Sequence, residues 1–412
     1  MLVTGIIAEY NPFHNGHLYQ LQKVKMILPD SFCICIMSGN FTQRGEVALL
    51  DKWQKAALAV ASGADLVFEL PFVFAVRSAQ DFAYGGLELL NRLHIASHLC
   101  FGAENNDITL LEKIAAVSSN STVQDHLHTY MKTGLSYAAA LTKSLYTIYN
   151  IPEALLKQPN NILAIEYLKA IKNTRSALLP LPIQREAAHY NDEKIISALA
   201  SARAIRKEIY ADTPSLALLE TVLPSPSAKV IVNIIQNKLP LPSIEYLSHA
   251  LLIKLRSTSY EKLSHIFAIN EGLEHSFITA ALSSASTKEL LSFIKTKRYP
   301  QSRIQRILLY ILLCLTKDTI QKFDKSGPLY ARVLAFNKNG CSLLHKLKKT
   351  SSVPIITKTS SFLNTHERAQ TSITLLQEML AYDTYATDLY SMCFAIPQKA
   401  ARDFTTPPVY IK

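Results

Sequence analysis

The chain has 412 residues, 49% of them hydrophobic and 18% charged, which excludes a disordered or fibrous protein and exceeds one ordinary domain. Its longest clean apolar run, residues 307–315, falls short of the ~20 residues that cross a bilayer, and Met1-Leu2-Val3-Thr4-Gly5 lacks the basic start of a secretory signal, so a cytoplasmic protein with no membrane association is expected. The net charge of +11 is uneven: residues 1–210 hold 19 Lys/Arg against 18 Asp/Glu, residues 211–412 hold 24 against 14, and a basic excess in one half hints at nucleic acid.

Residues 2–8 read as a short apolar strand, and 16–26 have helical spacing. Residues 32–38 read as a second buried strand. Cys33 and Cys35 lie within it as small core residues, since CxC with no partner at ligand spacing makes no metal site and six cysteines are too few for a disulfide framework. An Ala-rich helix over 52–62 ends at Gly63, a third strand over 64–70 is stopped by Pro71, a helix covers 78–93, and a fourth strand covers 98–102. This rhythm predicts a parallel sheet with right-handed crossovers, and continuous apolar strands fit burial on both faces. Helical patterns follow over 109–149 and 161–172, then a strand over 177–185 and a helix over 193–200 leading into 201–207. Beyond 210 the pattern is helices with polar breaks: 215–223, 243–255, 286–295, 302–316, 343–348 and 371–384. Nine of the twelve glycines precede residue 150. The expected class is α/β, with a Rossmann-like parallel-sheet domain over residues 1–210 and a mostly helical basic domain over 211–412.

The most informative stretch is Gly5-Ile6-Ile7-Ala8-Glu9-Tyr10-Asn11-Pro12-Phe13-His14-Asn15-Gly16-His17-Leu18. A buried strand ends at Ala8, a loop follows, and a helix starts near Gly16. In an open α/β sheet the ligand crevice lies beyond the carboxyl ends of the strands. A helix N-terminus there offers unpaired N–H groups and partial positive charge to a phosphate, and Gly16 permits close approach. His14 and His17, three apart, can point at one anion and stabilise charge in a phosphoryl-type transfer. A surface turn with two incidental histidines is the bland competitor; the coincidence of strand, turn, glycine and helix favours function.

This segment resembles the HxGH signature of the nucleotidyltransferase superfamily. With Ser38-Gly39-Asn40-Phe41-Thr42-Gln43-Arg44-Gly45-Glu46, Gly63-Ala64-Asp65-Leu66-Val67-Phe68-Glu69-Leu70-Pro71, Phe101-Gly102-Ala103-Glu104 and Pro159-Asn160-Asn161-Ile162, the chain resembles the bacterial tRNA(Met) cytidine acetate ligases. The resemblance implies an enzyme that converts ATP and acetate to acetyl-adenylate, with Mg²⁺ as expected companion. It then places the acetyl group on N4 of the wobble cytidine of elongator tRNA(Met). It implies ATP contacts along Ile6 to Tyr19 (Ile6, Ile7, Ala8, Glu9, Tyr10, Asn11, Pro12, Phe13, His14, Asn15, Gly16, His17, Leu18, Tyr19) and at Gly102, Asn161 and Arg185. Ser201-Ala202-Arg203-Ala204-Ile205-Arg206-Lys207 matches the superfamily's second signature, with Ser201 as helix cap and Arg206 and Lys207 on the phosphates. Relatives often have a small hydroxyl residue where Arg203 stands, so its role stays open.

In the Ser38–Glu46 loop, Asn40, Gln43 and Arg44 are the candidate acetate-binding residues, Arg44 as carboxylate partner. Glu9 and Glu69 could orient a histidine or bind Mg²⁺, or be buried with local partners. Lys295, Lys297, Arg298, Arg303 and Arg306 cluster around Tyr299, and arginines on the outer face of a helix suit RNA phosphates. Lys346, Lys348 and Lys349 form a second basic group for which a solvated face competes equally. Two readings compete with the ligase: an adenylyltransferase acting on a small phosphorylated acceptor, and a non-catalytic RNA-binding protein with a degenerate nucleotide fold.

Overall fold

The computed structural model describes residues 1–185, 195, 197–296 and 298–412. Residues 193, 194 and 196 of the helix expected over 193–200, and Lys297, lie outside the described residues, and the described residues 197–200 are not helical.

Five parallel strands form the main sheet: β1 (Val3–Ala8), β2 (Phe32–Ser38), β3 (Leu66–Leu70), β4 (His98–Ala103) and β5 (Leu179–Gln184). Their order is β5-β4-β1-β2-β3. The chain runs from β1 out through β2 and β3, then returns to place β4 on the other side of β1. That reversal opens a crevice at the carboxyl ends of β1 and β4. Alternate residues feed opposite faces, as a period of two requires. Val3 and Ile7 of β1, Ile34 and Ile36 of β2, and Leu66 and Phe68 of β3 pack in one core; Ile6, Cys33, Cys35, Met37 and Val67 pack in the other. Cys33 and Cys35 are free and buried, the ordinary core residues expected of them.

The sheet does not stop with the first half. β6 (Ala331–Phe336) pairs antiparallel with β3, and β7 (Ile355–Ile356) and β8 (Val409–Tyr410) pair with β6. Residue 210 therefore does not divide the sheet, and the helical reading of 211–412 missed these three strands. β7 and β8 are only two residues long, and the apolar run of β6 is interrupted by a cation of a kind that usually faces solvent, Arg332. It is instead buried opposite Glu69, at 3.2 Å, and beside Asp403; Lys52 joins the same group, 2.9 Å from Glu69 and 2.6 Å from Asp403. The helix Leu375–Ser391 fastens to the same place: Asp383 accepts the Phe72 N–H at 2.7 Å and the Tyr330 hydroxyl at 2.5 Å.

Between β4 and β5 the expected helical stretch resolves into Ile108–Ser118, Ser121–Lys132, Tyr137–Tyr149, the short Glu153–Leu156, and Pro159–Thr174. The last of these packs along the sheet; the earlier ones form a helical annex packed on it and on one another.

Candidate active site

β1 ends at Ala8, and the following loop turns into the helix Asn15–Ile27. Tyr10 holds a left-handed backbone, φ 49°, which costs a non-glycine residue about 1 kcal/mol or more. Its buried ring offsets this cost, meeting Phe13 and His17 at 4.9 and 4.8 Å and hydrogen-bonding with Cys35 Sγ at 3.3 Å. His14 caps the helix. Its Nδ1 accepts the Gly16 N–H at 3.0 Å, and His17 Nδ1 accepts the His14 N–H at 3.2 Å, a reciprocal capping box made from two imidazoles. A Cβ on residue 16 would lie 2.8 Å from His14 Cε1, so glycine there lets the first imidazole reach the backbone.

Since each Nδ1 accepts, each neutral ring carries its proton on Nε2. Burial holds His14 well below the ordinary histidine range, with His17, Arg185 and Arg206 adding to it; burial and then Arg185 take His17 down to about 3. Both rings are thus neutral N–H donors near pH 7. They stack with centroids 3.8 Å apart and line a cavity of about 260 Å³ at the sheet's reversal point.

The cavity is built from segments distant in sequence. Ile7 to Asn11 form its floor, Gly102 and Arg185 one end, and Asn160, Leu163 and Tyr167 of Pro159–Thr174 a side. Arg203 and Arg206 come from the helix Ala202–Ile209, which Ser201 caps by accepting the Ala204 N–H at 3.1 Å. Arg206 donates to the Asn11 carbonyl and to Glu46, each at 2.7 Å, tying this helix to the loop after β1 and to the loop after β2. Gln43 and Arg44 complete the wall. Gln43 donates its N–H to Glu9 at 2.5 Å, and burial raises the Glu9 carboxyl above its usual range. Four arginines and three helix N-termini around two N–H donors suit a polyphosphate.

A HIGH Nucleotidyl Transferase family model matches residues 1–404. The chain is 39% identical over 411 residues to the tRNA(Met) cytidine acetate ligase of Thermoanaerobacter sp. (strain X514), covering 99% of each chain. It is 39% identical over 420 residues to that of Acetivibrio thermocellus, covering 98% of this chain and 99% of the relative. Thermotoga maritima TmcAL superposes over 100% of both chains at 30% identity, with a TM-score of 0.90 for the apo crystal form and 0.89 for the form bound with alpha-thio ATP. The chain belongs to the tRNA(Met) cytidine acetate ligase family. The resemblance read from the motifs thus extends over the whole length.

Within Ile6–Tyr19, Ile7, Ala8, Glu9, Tyr10, Asn11, His14 and His17 line the main cavity, and Gly16 and Tyr19 line a narrow recess behind it. Ile6 and Phe13 are core residues, Pro12 is buried in the turn, and Leu18 packs on the core. Asn15 points away, donating to the carbonyls of Ala198 and Thr221.

Three residues expected in the site lie off the cavity wall. Asn161 is fully buried with its side chain committed inward: Oδ1 accepts from Asn105, and Nδ2 donates to Leu155 O and Gln158. Its neighbour Asn160 lines the cavity instead, because the helix begins at Pro159 and turns the two asparagines to different sides. Asn40 is also structural, accepting the Lys52 N–H and donating to Thr387, and it is not on the cavity wall. Lys207 is exposed and off that wall, whereas Arg203, whose role the sequence left open, lies on it.

The arginine cluster also differs from an outward stripe. Arg298, Arg303 and Arg306 line a second cleft of about 920 Å³, between the helical annex and the helix Gln301–Leu312. Arg298 pairs with Glu271 at 2.5 Å, Arg303 lies 5.0 Å from the Tyr299 ring, and Arg306 donates to the Gln43 carbonyl at 3.4 Å. Lys295 is exposed and outside the cleft; Lys297 is outside the described residues. Lys346, Lys348 and Lys349 are exposed on the helix Lys338–Thr350.

The sequence reading passed over Lys55, buried in an Ala-rich helix, whose Nζ donates to the carbonyls of Glu9 at 2.9 Å and Ser38 at 3.0 Å and so joins the ends of β1 and β2. Two lysines three apart in an otherwise apolar, Ala-rich helix were the available signal. The pairing of Glu46 with Arg206 is likewise a contact no local pattern announces.

Proposed function

We propose that this protein uses ATP to activate acetate and transfers the acetyl group to N4 of the wobble cytidine of elongator tRNA(Met) in the cytoplasm, forming N4-acetylcytidine. The observation that carries the reading is the pair of neutral imidazoles capping a helix at the sheet's reversal point, within an arginine-lined cavity, in a chain full-length related to that family. No helix among the described residues is long and apolar enough to cross a membrane.

In the first step an acetate oxygen attacks the α-phosphorus of ATP, the bond to pyrophosphate breaks, and acetyl-adenylate forms. The Nε2–H groups of His14 and His17 donate to the phosphoryl oxygens on which charge grows. Arg206 and Arg203 hold the departing phosphates, and Arg44 with Gln43 takes the acetate carboxylate. In the second step the cytidine amine attacks the acetyl carbonyl, and AMP leaves as the amine loses a proton. Holding the two reactants side by side supplies much of the rate. On this reading Mg²⁺ arrives with the triphosphate, whose oxygens would supply much of its ligation.

Incubation with ATP, labelled acetate and tRNA, followed by mass analysis of the nucleosides, tests the reading; labelled N4-acetylcytidine is the expected product. ATP–pyrophosphate exchange driven by a phosphorylated small acceptor but not by acetate would instead identify an adenylyltransferase. tRNA binding without turnover would identify a non-catalytic RNA-binding protein.

A further inference from the structure

The 920 Å³ cleft is a site in its own right, and its position relative to the smaller cavity is fixed by one helix. Pro159–Thr174 runs between them. Its Asn160, Leu163 and Tyr167 face the nucleotide cavity, its Ile165 and Glu166 face the cleft, and Ile162 borders both. Gln43 and Ala79 are likewise common to the two walls. The two spaces are neighbours across that shared edge, and the cleft's volume is at the upper end of what small-ligand sites occupy.

Glu166 lies one helical turn beyond Ile162. It is only 3% exposed. Its Oε1 accepts from Lys169 Nζ at 3.0 Å, but Oε2 is buried with no hydrogen-bond partner, although the residue lines the cleft. A buried carboxylate oxygen left without a donor costs about 1–3 kcal/mol, and a ligand bringing an N–H would recover it. Around it, Leu141, Leu145, Leu156 and Ile165 offer apolar surface to the faces of a ring. Arg298 and Arg303 stand on the far wall, where a nucleotide's phosphates would lie.

We infer that this cleft receives an unstacked cytidine nucleotide, with Glu166 Oε2 accepting an N–H from the exocyclic amine at its edge. The chemistry selects the base. Cytosine presents an amine donor at C4, whereas uracil presents a carbonyl acceptor that a carboxylate repels. The site thereby screens the base, and the cytidine leaves Glu166 before its amine attacks in the neighbouring cavity. This inference rests on the proposed ligase activity and deepens it by naming the residue that reads the base.

The test uses the full chain with two tRNAs, one carrying the target cytidine and one carrying uridine there. The variant is Glu166→Met/Lys169→Met, which removes the ion pair as a unit, so that no lone buried charge remains. The wild type is expected to bind the cytidine tRNA about tenfold or more tightly than the uridine tRNA. The variant is expected to lose most of that ratio, with tRNA acetylation falling by about tenfold or more while acetate-driven ATP–pyrophosphate exchange persists. A ratio unchanged in the variant overturns the inference and leaves Glu166 a structural ion-pair member. Should that variant not fold, Ala138→Trp, at an exposed alanine on the cleft wall, fills the same space; it should block acetylation and spare exchange, and undiminished acetylation overturns the inference equally. Absence of acetate-driven exchange in the wild type is a different result, and refutes the ligase reading itself.

Discussion

A Cβ built on Gly45 would stand 2.7 Å from the backbone nitrogen of Arg306, so the loop after β2 and the arginine-bearing helix touch backbone to backbone. Gly45 also has φ +78°, a conformation other residues adopt at a cost. Gly45→Ala therefore meets both a steric and a conformational penalty. We expect a loss of at least about 1 kcal/mol, read as a lower Tm, together with weaker binding of both acetate and tRNA.

The histidine pair sets a pH dependence with a definite sign. The folded state keeps His17 neutral down to about 3, while an ordinary histidine titrates near 6.5. Between those values the unfolded chain binds more protons than the folded one, so stability rises with pH across that window and falls on acidification. Thermal melts from pH 7 to pH 4 should show a declining Tm. His17→Asn should lessen that decline, with His14 supplying the rest, and remove acetate-driven exchange.

Arg206 reaches the Asn11 carbonyl, Glu46 and the cavity at once. Arg206→Ala is expected to reduce acetate-driven ATP–pyrophosphate exchange by about 10²-fold or more, since one donor aimed at developing charge is worth that much. Glu46→Gln removes a partly exposed pair and should cost about 1 kcal/mol of stability or less. An Arg206→Ala enzyme with a normal exchange rate would remove this residue from the phosphate site.

Charge reversal on the cleft should separate the two half-reactions. Arg303→Glu is expected to weaken tRNA binding and to lower the slope of log affinity against log salt by about 1. Pyrophosphate exchange should be untouched. Titrations at three or more salt concentrations provide the measurement.

Arg332→Leu leaves Glu69 and Asp403 in the core with Lys52 as their remaining cation. Removing one member of such a group typically costs about 3–5 kcal/mol. Denaturant unfolding should show a midpoint shift of that order, and a near-normal midpoint would mean that the group's charges are neutralised in some other way.

The histidine corner was legible because it is local. Strand, turn, His14, Gly16 and His17 fall within fifteen residues, and their spacing alone places two imidazoles at one helix start. Ser201 as a cap and the buried strands β1 to β4 followed from the same short-range patterns of polarity and glycine. Asn160 and Asn161 were not separable in this way, because which of the two faces a cavity depends on where the helix begins. Arg203 and Lys207 differ for a similar reason: their helix docks through the Arg206 contacts with Asn11 and Glu46, and that docking decides which cations meet the cavity.

By itself the sequence determined the chemistry on offer: a glycine-opened turn with two histidines behind an apolar strand, and a basic second half. Hydrogen-bond capping and apolar periodicity act over a few residues, so they are written in the order of the chain. Only the tertiary structure decided that β6 joins the first-half sheet, that the arginines wall a cleft, and that this cleft adjoins the nucleotide cavity along one helix. Those outcomes depend on pairing buried charges such as Arg332 with Glu69, 263 residues apart, and no local pattern encodes which distant partner will neutralise a buried charge.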